Sequence, residues 1–515
     1  MDAMNGFIKN TIESSLILSY FRGPDKSRQS WAESPVLRII HLIVNFPGKL
    51  LKAVYSRWKN VFEHSLAFRL LGYLADNIHM VTGLFLVIFM IVPYHIWRNE
   101  YGVLLAAGLA TLFFIRLMKN RQSIIETPAI DYSILLFFVS MAVAAATSLF
   151  PGDSLKYLVH YILAFVFITV IVSTVDSAEK LDLPVKLIAF GTFLTSLYGI
   201  YQWKVIGVPV DPSTTDLQLN PDLGGRVYST MGNANVYGQM LVLTIPFFAA
   251  IILNEKSFLK KAAWLAMLAP VILILFKTGS RGAWVALAGA ALVFVFFWNI
   301  KFIPVIIILG LVALPLLPTP IYNRILTIFS GDKSTSYREM IYTSASYMLK
   351  DYWLTGVGLG PGVVSTIFER YKIFGLTKVA HSHVLYLQLW LEAGLAAILT
   401  FLLMIFRMVR NAFEAMIKKK DPAANNVMFA ALSGIAGLLA IGLTDHVWFF
   451  SRIMYLFWIN IALILAVVRI TGIGKVQTIA GIAVTGRNTD SGEDNGTTRI
   501  SEAAGSETGM NAESE

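Results

Sequence analysis

Two imidazoles, His381 and His383, stand where a polar stretch running back to Pro318 gives way to the apolar run that begins at Val384. Histidine titrates near pH ~6.5, so it is the side chain suited to taking a proton from a hydroxyl at neutral pH. Three arginines fall on the same expected face. Arg226 and Arg338 lie in loops rich in Gly, Ser, Thr and Asn, and Arg281 stands at the mouth between two apolar runs. A guanidinium offers paired planar donors that match phosphate oxygens. Singly, each arginine reads as a snorkelling or ion-paired surface residue; beside the histidine pair they read as an anion site at a membrane surface. For the histidines two readings stand together at this stage: a general base, or interfacial side chains bonded to backbone carbonyls. Asp445-His446 reads as a helix-end pair rather than a proton relay.

Other chemistries find little support. The chain has no cysteine, which excludes disulfides, thiolate metal sites and cysteine nucleophiles. His, Asp and Glu do not cluster at metal-ligand spacing: His381 and His383 are two positions apart, with no acidic third ligand near them in sequence, so neither a metal nor another cofactor is expected. Gly356, Gly358, Gly360 and Gly362 read as tight-turn glycines, because no strand precedes them as a nucleotide cradle requires. Lys277-Thr278-Gly279-Ser280 lacks the order of a phosphate loop. Tyr386, Trp390 and Trp448 read as an interfacial aromatic belt.

The elements that must hold these residues are membrane helices. The 515 residues are 56% hydrophobic and 14% charged, with a mean hydropathy of +0.64. The apolar residues come in blocks of about 17–22, the length of a helix that crosses a bilayer core. The net charge of +10 follows the flanks of these blocks, which is the positive-inside pattern and not a nucleic-acid surface. About twelve spans are expected: an all-α polytopic protein, multi-pass in the plasma (inner) membrane, with both termini cytoplasmic. Residues 1–76 are basic and too charged to span, and no removable signal peptide is expected. They read as amphipathic helices on the inner leaflet, broken at Pro47-Gly48, or as a small cytoplasmic helical bundle. Residues 77–470 form the membrane domain, and within it 319–383 is a large extracytoplasmic loop between spans nine and ten. That loop is expected to hold a helix capped by Ser334 or Thr335, with Tyr337, Ile341, Ala345, Met348 and Tyr352 along one apolar stripe. Residues 471–515, polar and rich in Gly, Ser and Thr, read as a disordered cytoplasmic tail.

Four segments in this order resemble the O-antigen ligase and polymerase superfamily over roughly residues 78–468. They are Arg226 with Gly232-Asn233-Ala234-Asn235; Thr278-Gly279-Ser280-Arg281-Gly282-Ala283-Trp284; Arg338 leading through Lys350-Asp351 to Gly356-Val357-Gly358; and His383 followed eleven residues later by Gly394, with Leu387-Gln388 and Glu392 between. Two positions depart from the family pattern: Val384 stands where Asn or Ser often follows the histidine, and Ala397 where a glycine is common. The resemblance implies a metal-independent glycosyltransferase acting at the outer face of the plasma membrane, in cell-surface polysaccharide biosynthesis. It would move a glycan from a polyprenyl (undecaprenyl) diphosphate carrier to a hydroxyl of a glycan, lipid or protein acceptor. In that reading His383 is the catalytic base, Arg281, Arg338 and Arg226 bind the diphosphate, and His381, Asn235 and Glu392 support them. The alternative is a transporter of polysaccharide or lipid-linked glycan, against which stands the lack of a repeat between the halves.

Overall fold

The computed structural model describes residues 26–210, 224–313, 315, 319–326, 333–376, 379–418 and 420–472. The expected tail from 473 onward, the middle of the loop before Gly224 and the turn at Gly331-Asp332 lie outside them. Among the described residues every regular element is a helix. First come α1 (Lys26–Glu33), α2 (Pro35–Arg57), α3 (Lys59–His64) and α4 (Leu66–Asp76). Then follow α5 (Ile78–Ile91), α6 (Asn99–Lys119), α7 (Tyr132–Ala146), α8 (Pro151–Thr174) and α9 (Ala178–Tyr201), the last running into a π-turn at Gln202–Ile206. Next are α10 (Ala234–Asn254), α11 (Phe258–Lys277), α12 (Arg281–Asn299) and α13 (Ile303–Ala313). The expected large loop holds α14 (Thr319–Leu326), α15 (Lys333–Tyr352) and α16 (Pro361–Phe368), and α17 (Leu385–Lys418), α18 (Pro422–Ile441) and α19 (Ser451–Thr471) complete the chain.

Among the described residues nine helical runs are long and apolar enough to cross a membrane, and α4 with α5, bent by 81° at their junction, would make a tenth. Each expected span contains helix among the described residues, but α5 has only 14 residues, α7 15 and α13 11. The expected eighth and ninth spans join through the turn Ile300–Phe302 into one apolar run, Arg281–Val312. The sequence reading expected a break at Pro47-Gly48, but α2 continues through both. Gly48 is buried beside Leu117.

Local chemistry sets the helix starts. Asp131, Ser177, Asn233 and Asp421 each accept a backbone N–H in the first turn of α7, α9, α10 and α18, satisfying donors that the helix itself cannot. Packing sets the rest. α10 and α19 are buried on nearly every face, as expected of helices apolar all round. α18 packs against both of them and against α12, while α17 packs on α7 and α8 on α19. Trp448 belongs to this core and not to an interfacial belt. It is 2% exposed and lies 5.1 Å from Phe457 and 5.5 Å from Phe401, ring centroid to centroid.

At the end of the bundle that carries the basic clusters, Arg407 of α17 donates to both carboxylate oxygens of Asp131 at 2.8 and 2.7 Å. A buried pair of this kind holds its helices in register, because separating it strands a charge away from water. The large loop has a small core of its own. Ile341, Ala345 and Met348 are fully buried against Val363, Val364 and Ile367 of α16, so the expected apolar stripe exists, on a helix that already begins at Lys333.

Candidate active site

The two histidines sit in the turn just before α17. Ser382 holds that turn through the backbone: its Oγ donates to the Val384 carbonyl at 2.9 Å, and its N–H donates to Gln388 Oε1 at 2.8 Å. His383 takes a left-handed φ of +55°, which costs a non-glycine residue about 1–3 kcal/mol and persists only where its surroundings impose it. Here its N–H donates to His381 Nδ1 at 3.2 Å. A backbone N–H only donates, so Nδ1 of His381 accepts, and its ring carries the proton on Nε2 when neutral. The two rings lie 4.1 Å apart, centroid to centroid.

One long-range backbone bond assembles the remainder. Leu385 N–H donates to the Gly442 carbonyl at 2.8 Å, which brings the loop after α18 alongside the histidine turn. Asp445 thereby faces the active turn, with its Oδ1 3.7 Å from His383 Nδ1. At that length the contact is electrostatic rather than a made hydrogen bond. The Asp445 carboxylate is itself held: Gln239 Nε2 donates to Oδ2 at 3.0 Å and the His446 N–H to Oδ1 at 2.9 Å. Asp445-His446 does stand just past the end of α18, as read from the sequence, and Asp445 in addition faces His383. The sequence offers no acidic third ligand near the histidines, and the fold brings one in from beyond α18: ligand atoms of His381, His383 and Asp445 lie within 4.8 Å of one another, close enough to hold a metal ion.

The electrostatics divide these groups. Burial, then the neighbouring His383, push His381 down to about 4. Burial, then the charges of His381 and His383, push His446 down to about 3. Burial alone would raise Asp445, but His383, His381 and Arg338 outweigh it and hold the carboxyl below its ordinary value. At neutral pH the site therefore holds two neutral imidazoles, His381 and His446, around an anionic carboxylate.

Arg338 of α15 is half-buried, and its charge acts on both His381 and Asp445. Arg226 is fixed on two sides, donating from Nε to the Thr278 carbonyl at 2.9 Å and from its terminal nitrogen to Asn235 Oδ1. The adjacent Val227 N–H donates to the Lys277 carbonyl at 2.9 Å. The Arg226 segment is thus docked on the turn that ends in Arg281, the first residue of α12. In that turn Gly279, with φ +60°, leaves room for the Arg226 stem. Asn235 and Gln239 are one turn apart on α10, on the same face. One contacts Arg226 and the other Asp445, so a single rigid helix ties the arginine group to the histidine group.

Glu392, 2% exposed, accepts from Gln388 Nε2 at 2.8 Å. It supports the histidine turn through Gln388 and Ser382, at a distance from the imidazoles. The same stretch explains the glycine eleven residues after His383. Gly394 has φ +71° and ψ −170° inside α17, and this break exposes backbone groups that pair with the glycine loop. Val357 and Gly358 N–H donate to the Leu391 and Glu392 carbonyls, each at 2.9 Å. The loop glycines 356, 358 and 360 all have positive φ, the turn geometry expected of them, whereas Gly362 lies in the first turn of α16 and not in a tight turn. Sequence reasoning missed Gln239, set Asp445 aside as half of a helix-end pair, and quoted Gln388 only as part of a motif. The signal for Gln239 was its spacing of four from Asn235; for Asp445, the placing of a carboxylate at the same end of a neighbouring span.

Residues 265–402 match the O-antigen ligase family. That stretch includes Arg281, Arg338, His381, His383, Glu392 and Gly394, and leaves Arg226, Asn235 and Asp445 outside it. The chain is also 23% identical over 392 residues to the teichuronic acid biosynthesis protein TuaE of Bacillus subtilis (strain 168), an alignment taking in 72% of this chain and 78% of that protein.

Proposed function

We propose that this chain, which belongs to the O-antigen ligase and polymerase superfamily through that match, transfers a glycan from a polyprenyl diphosphate carrier to an acceptor hydroxyl. The reaction runs at the outer face of the plasma membrane, with the termini and the basic end of the bundle toward the cytoplasm. The observation that carries the reading is His383 beside an anionic Asp445, at a turn overlooked by Arg338. Asp445 faces Nδ1 and favours the ring with its proton on that nitrogen, which leaves Nε2 to take the acceptor's proton. The acceptor oxygen then attacks the anomeric carbon as the bond to the diphosphate breaks, and the electron pair leaves with the carrier. Arg338, Arg281 and Arg226 stabilise the charge that develops on the leaving diphosphate.

The reading is metal-independent. His381, His383 and Asp445 could reach one ion, but the charge of Arg338 already acts on two of them, and a second cation there meets repulsion. Transport of the same lipid-linked glycan is not favoured, since the family comprises ligase- and polymerase-like proteins and a carboxylate-held histidine suits proton transfer. Purified protein in detergent, given a lipid-linked oligosaccharide and acceptors, is expected to form product read by mass spectrometry. Detergent leaves no second compartment, so turnover there separates transfer from transport. Activity is expected to survive a chelator and to vanish in His383→Ala and Arg281→Ala. Near-normal transfer by either folded variant would sink the assignment.

A further inference from the structure

The N-terminal helices expose apolar surface that the bundle does not cover. On α2, Asn45 bonds to the backbone N–H and carbonyl of Ile125 at 2.8 and 3.1 Å, and Lys52 donates to the Arg121 and Ser123 carbonyls at 2.9 and 2.7 Å. These contacts fix one face of α2 on the loop after α6. The opposite face carries Ile39, Leu42, Ile43, Phe46 and Leu50, each more than half exposed. At 100° per residue these five fall within one arc of about 100°, across the helix from the buried Leu37 and Gly48, with Asn45 and Lys52 at one edge of that buried face. α4 repeats the pattern with Leu66, Leu70 and Tyr73, all more than 60% exposed, along one stripe.

Three observations name the occupant of this surface. First, α4 meets α5 at 81°, so where α5 crosses the membrane α4 runs along its plane. Second, the described residues 26–76 carry a net charge of +5, and Arg38, Lys49, Arg57 and Arg69 are exposed beside the apolar arcs. Those cations keep α2 out of the hydrocarbon core, although at 23 residues it is long enough to cross. Third, Lys49 and Lys52 line a cavity of about 120 Å³ between α2 and Leu117 of α6, with His41 and Asn45. It lies at the end of the bundle that bears Lys119 and Arg121, where headgroups would meet it.

We propose that α2 and α4 form an in-plane collar seated in the headgroup and acyl boundary of one leaflet, with anionic phospholipid as its ligand. The apolar arcs enter the acyl region and the flanking cations meet lipid phosphates. The collar does not depend on the transfer chemistry, and its failure would leave that reading untouched.

The absence of cysteine makes the test direct, since single cysteines in the full chain can be labelled without background. Spin labels at Phe46→Cys, Leu70→Cys and Ser56→Cys are placed in vesicles of phosphatidylcholine and phosphatidylglycerol at a ratio of about three to one. Labels at 46 and 70 are expected at a depth of ~5–10 Å, open to oxygen and shielded from a water-soluble nickel complex, with the label at 56 open to both. A nitrobenzoxadiazole label at position 46 is then quenched with brominated phosphatidylglycerol or brominated phosphatidylcholine. The anionic lipid is expected to quench more strongly, and Arg38→Gln with Lys49→Gln to reduce that preference by up to about fivefold per cation removed. Labels at 46 and 70 as open to nickel as the one at 56 would overturn the collar. So would dipolar broadening between labels on different molecules, which would put a second copy on the surface. Equal quenching by the two brominated lipids would overturn the anionic ligand.

Discussion

His383 Nδ1 lies 3.7 Å from Asp445 Oδ1, although the two residues stand at the ends of different helices, one before α17 and the other after α18. The carboxylate is oriented by Gln239 and by the His446 N–H, so it cannot swing away from the ring without breaking both. Asp445→Asn keeps the shape and removes the charge that favours the Nδ1-protonated ring. The transfer rate should fall by about 10²–10⁴-fold, with donor affinity changed far less, because the lost interaction matters most when the ring carries the acceptor's proton. Single-turnover rates against donor concentration separate the two effects. An unchanged rate in Asp445→Asn would remove the carboxylate from the mechanism.

Stability should depend on pH through the buried imidazoles. His381 and His446 drop from 6.5 to about 4 and about 3 in the folded protein. Unfolding therefore takes up protons as pH falls below about 6.5, and stability is complete above that value and lost progressively below it. The depressed Asp445 carboxyl adds a loss of the same sign, beginning only below its ordinary 3.8. Thermal unfolding in detergent from about pH 7.5 to about pH 4.5 should show a falling midpoint, with a shallower slope in His446→Phe. A slope that His446→Phe leaves unchanged would mean that this ring is not held neutral by the fold.

Gly394 should tolerate no side chain. Its φ of +71° is unfavourable for any other residue, and a Cβ would run into the Leu354 carbonyl. That carbonyl accepts the Leu395 N–H at 3.2 Å as part of the seam between the glycine loop and α17. Gly394→Ala should destabilise by more than ~2 kcal/mol and shift the histidine turn, while Ala397→Gly, in the regular helix beyond, should cost about 1 kcal/mol. Unfolding midpoints compare the two directly, and equal losses would refute the steric account.

What the chain discloses before folding follows the range of the forces involved. Helices were legible because apolar run length and capping residues act over a few positions, as Asp131 and Asn233 show. The singling out of His383 rested on its spacing to Gly394, and the structure accounts for the glycine: the broken turn sits where the glycine loop arrives. Asp445 was legible only as a carboxylate at the same end of a neighbouring span; its place beside His383 depends on the Leu385 bond to Gly442 between two helices, which leaves no local pattern. Trp448 misled for a related reason. A tryptophan at a span end usually faces an interface, but its neighbour α19 is buried on nearly every face, so the ring faces the core.

Gln388 offers the sharpest separation of support from chemistry. It is fully buried, accepts the Ser382 N–H at 2.8 Å and donates to Glu392 Oε1 at 2.8 Å. Those two bonds join the glycine-loop seam to the histidine turn. Gln388→Leu fills similar space but strands a buried N–H and a buried carboxyl group, a loss of about 2–4 kcal/mol. Gln388→Glu keeps an acceptor for Ser382 but sets two acids against each other, so it should restore little. If Gln388 acts only by positioning, Gln388→Leu together with Glu392→Leu should recover part of the stability, because no unpaired acid then remains, while the transfer rate stays low for want of the Ser382 bond. Recovery of rate together with stability would show that the link to the turn is dispensable; failure of both to recover would show that the backbone hydrogen bond between Gly360 and Glu392, which the double variant also removes, carries this part of the fold.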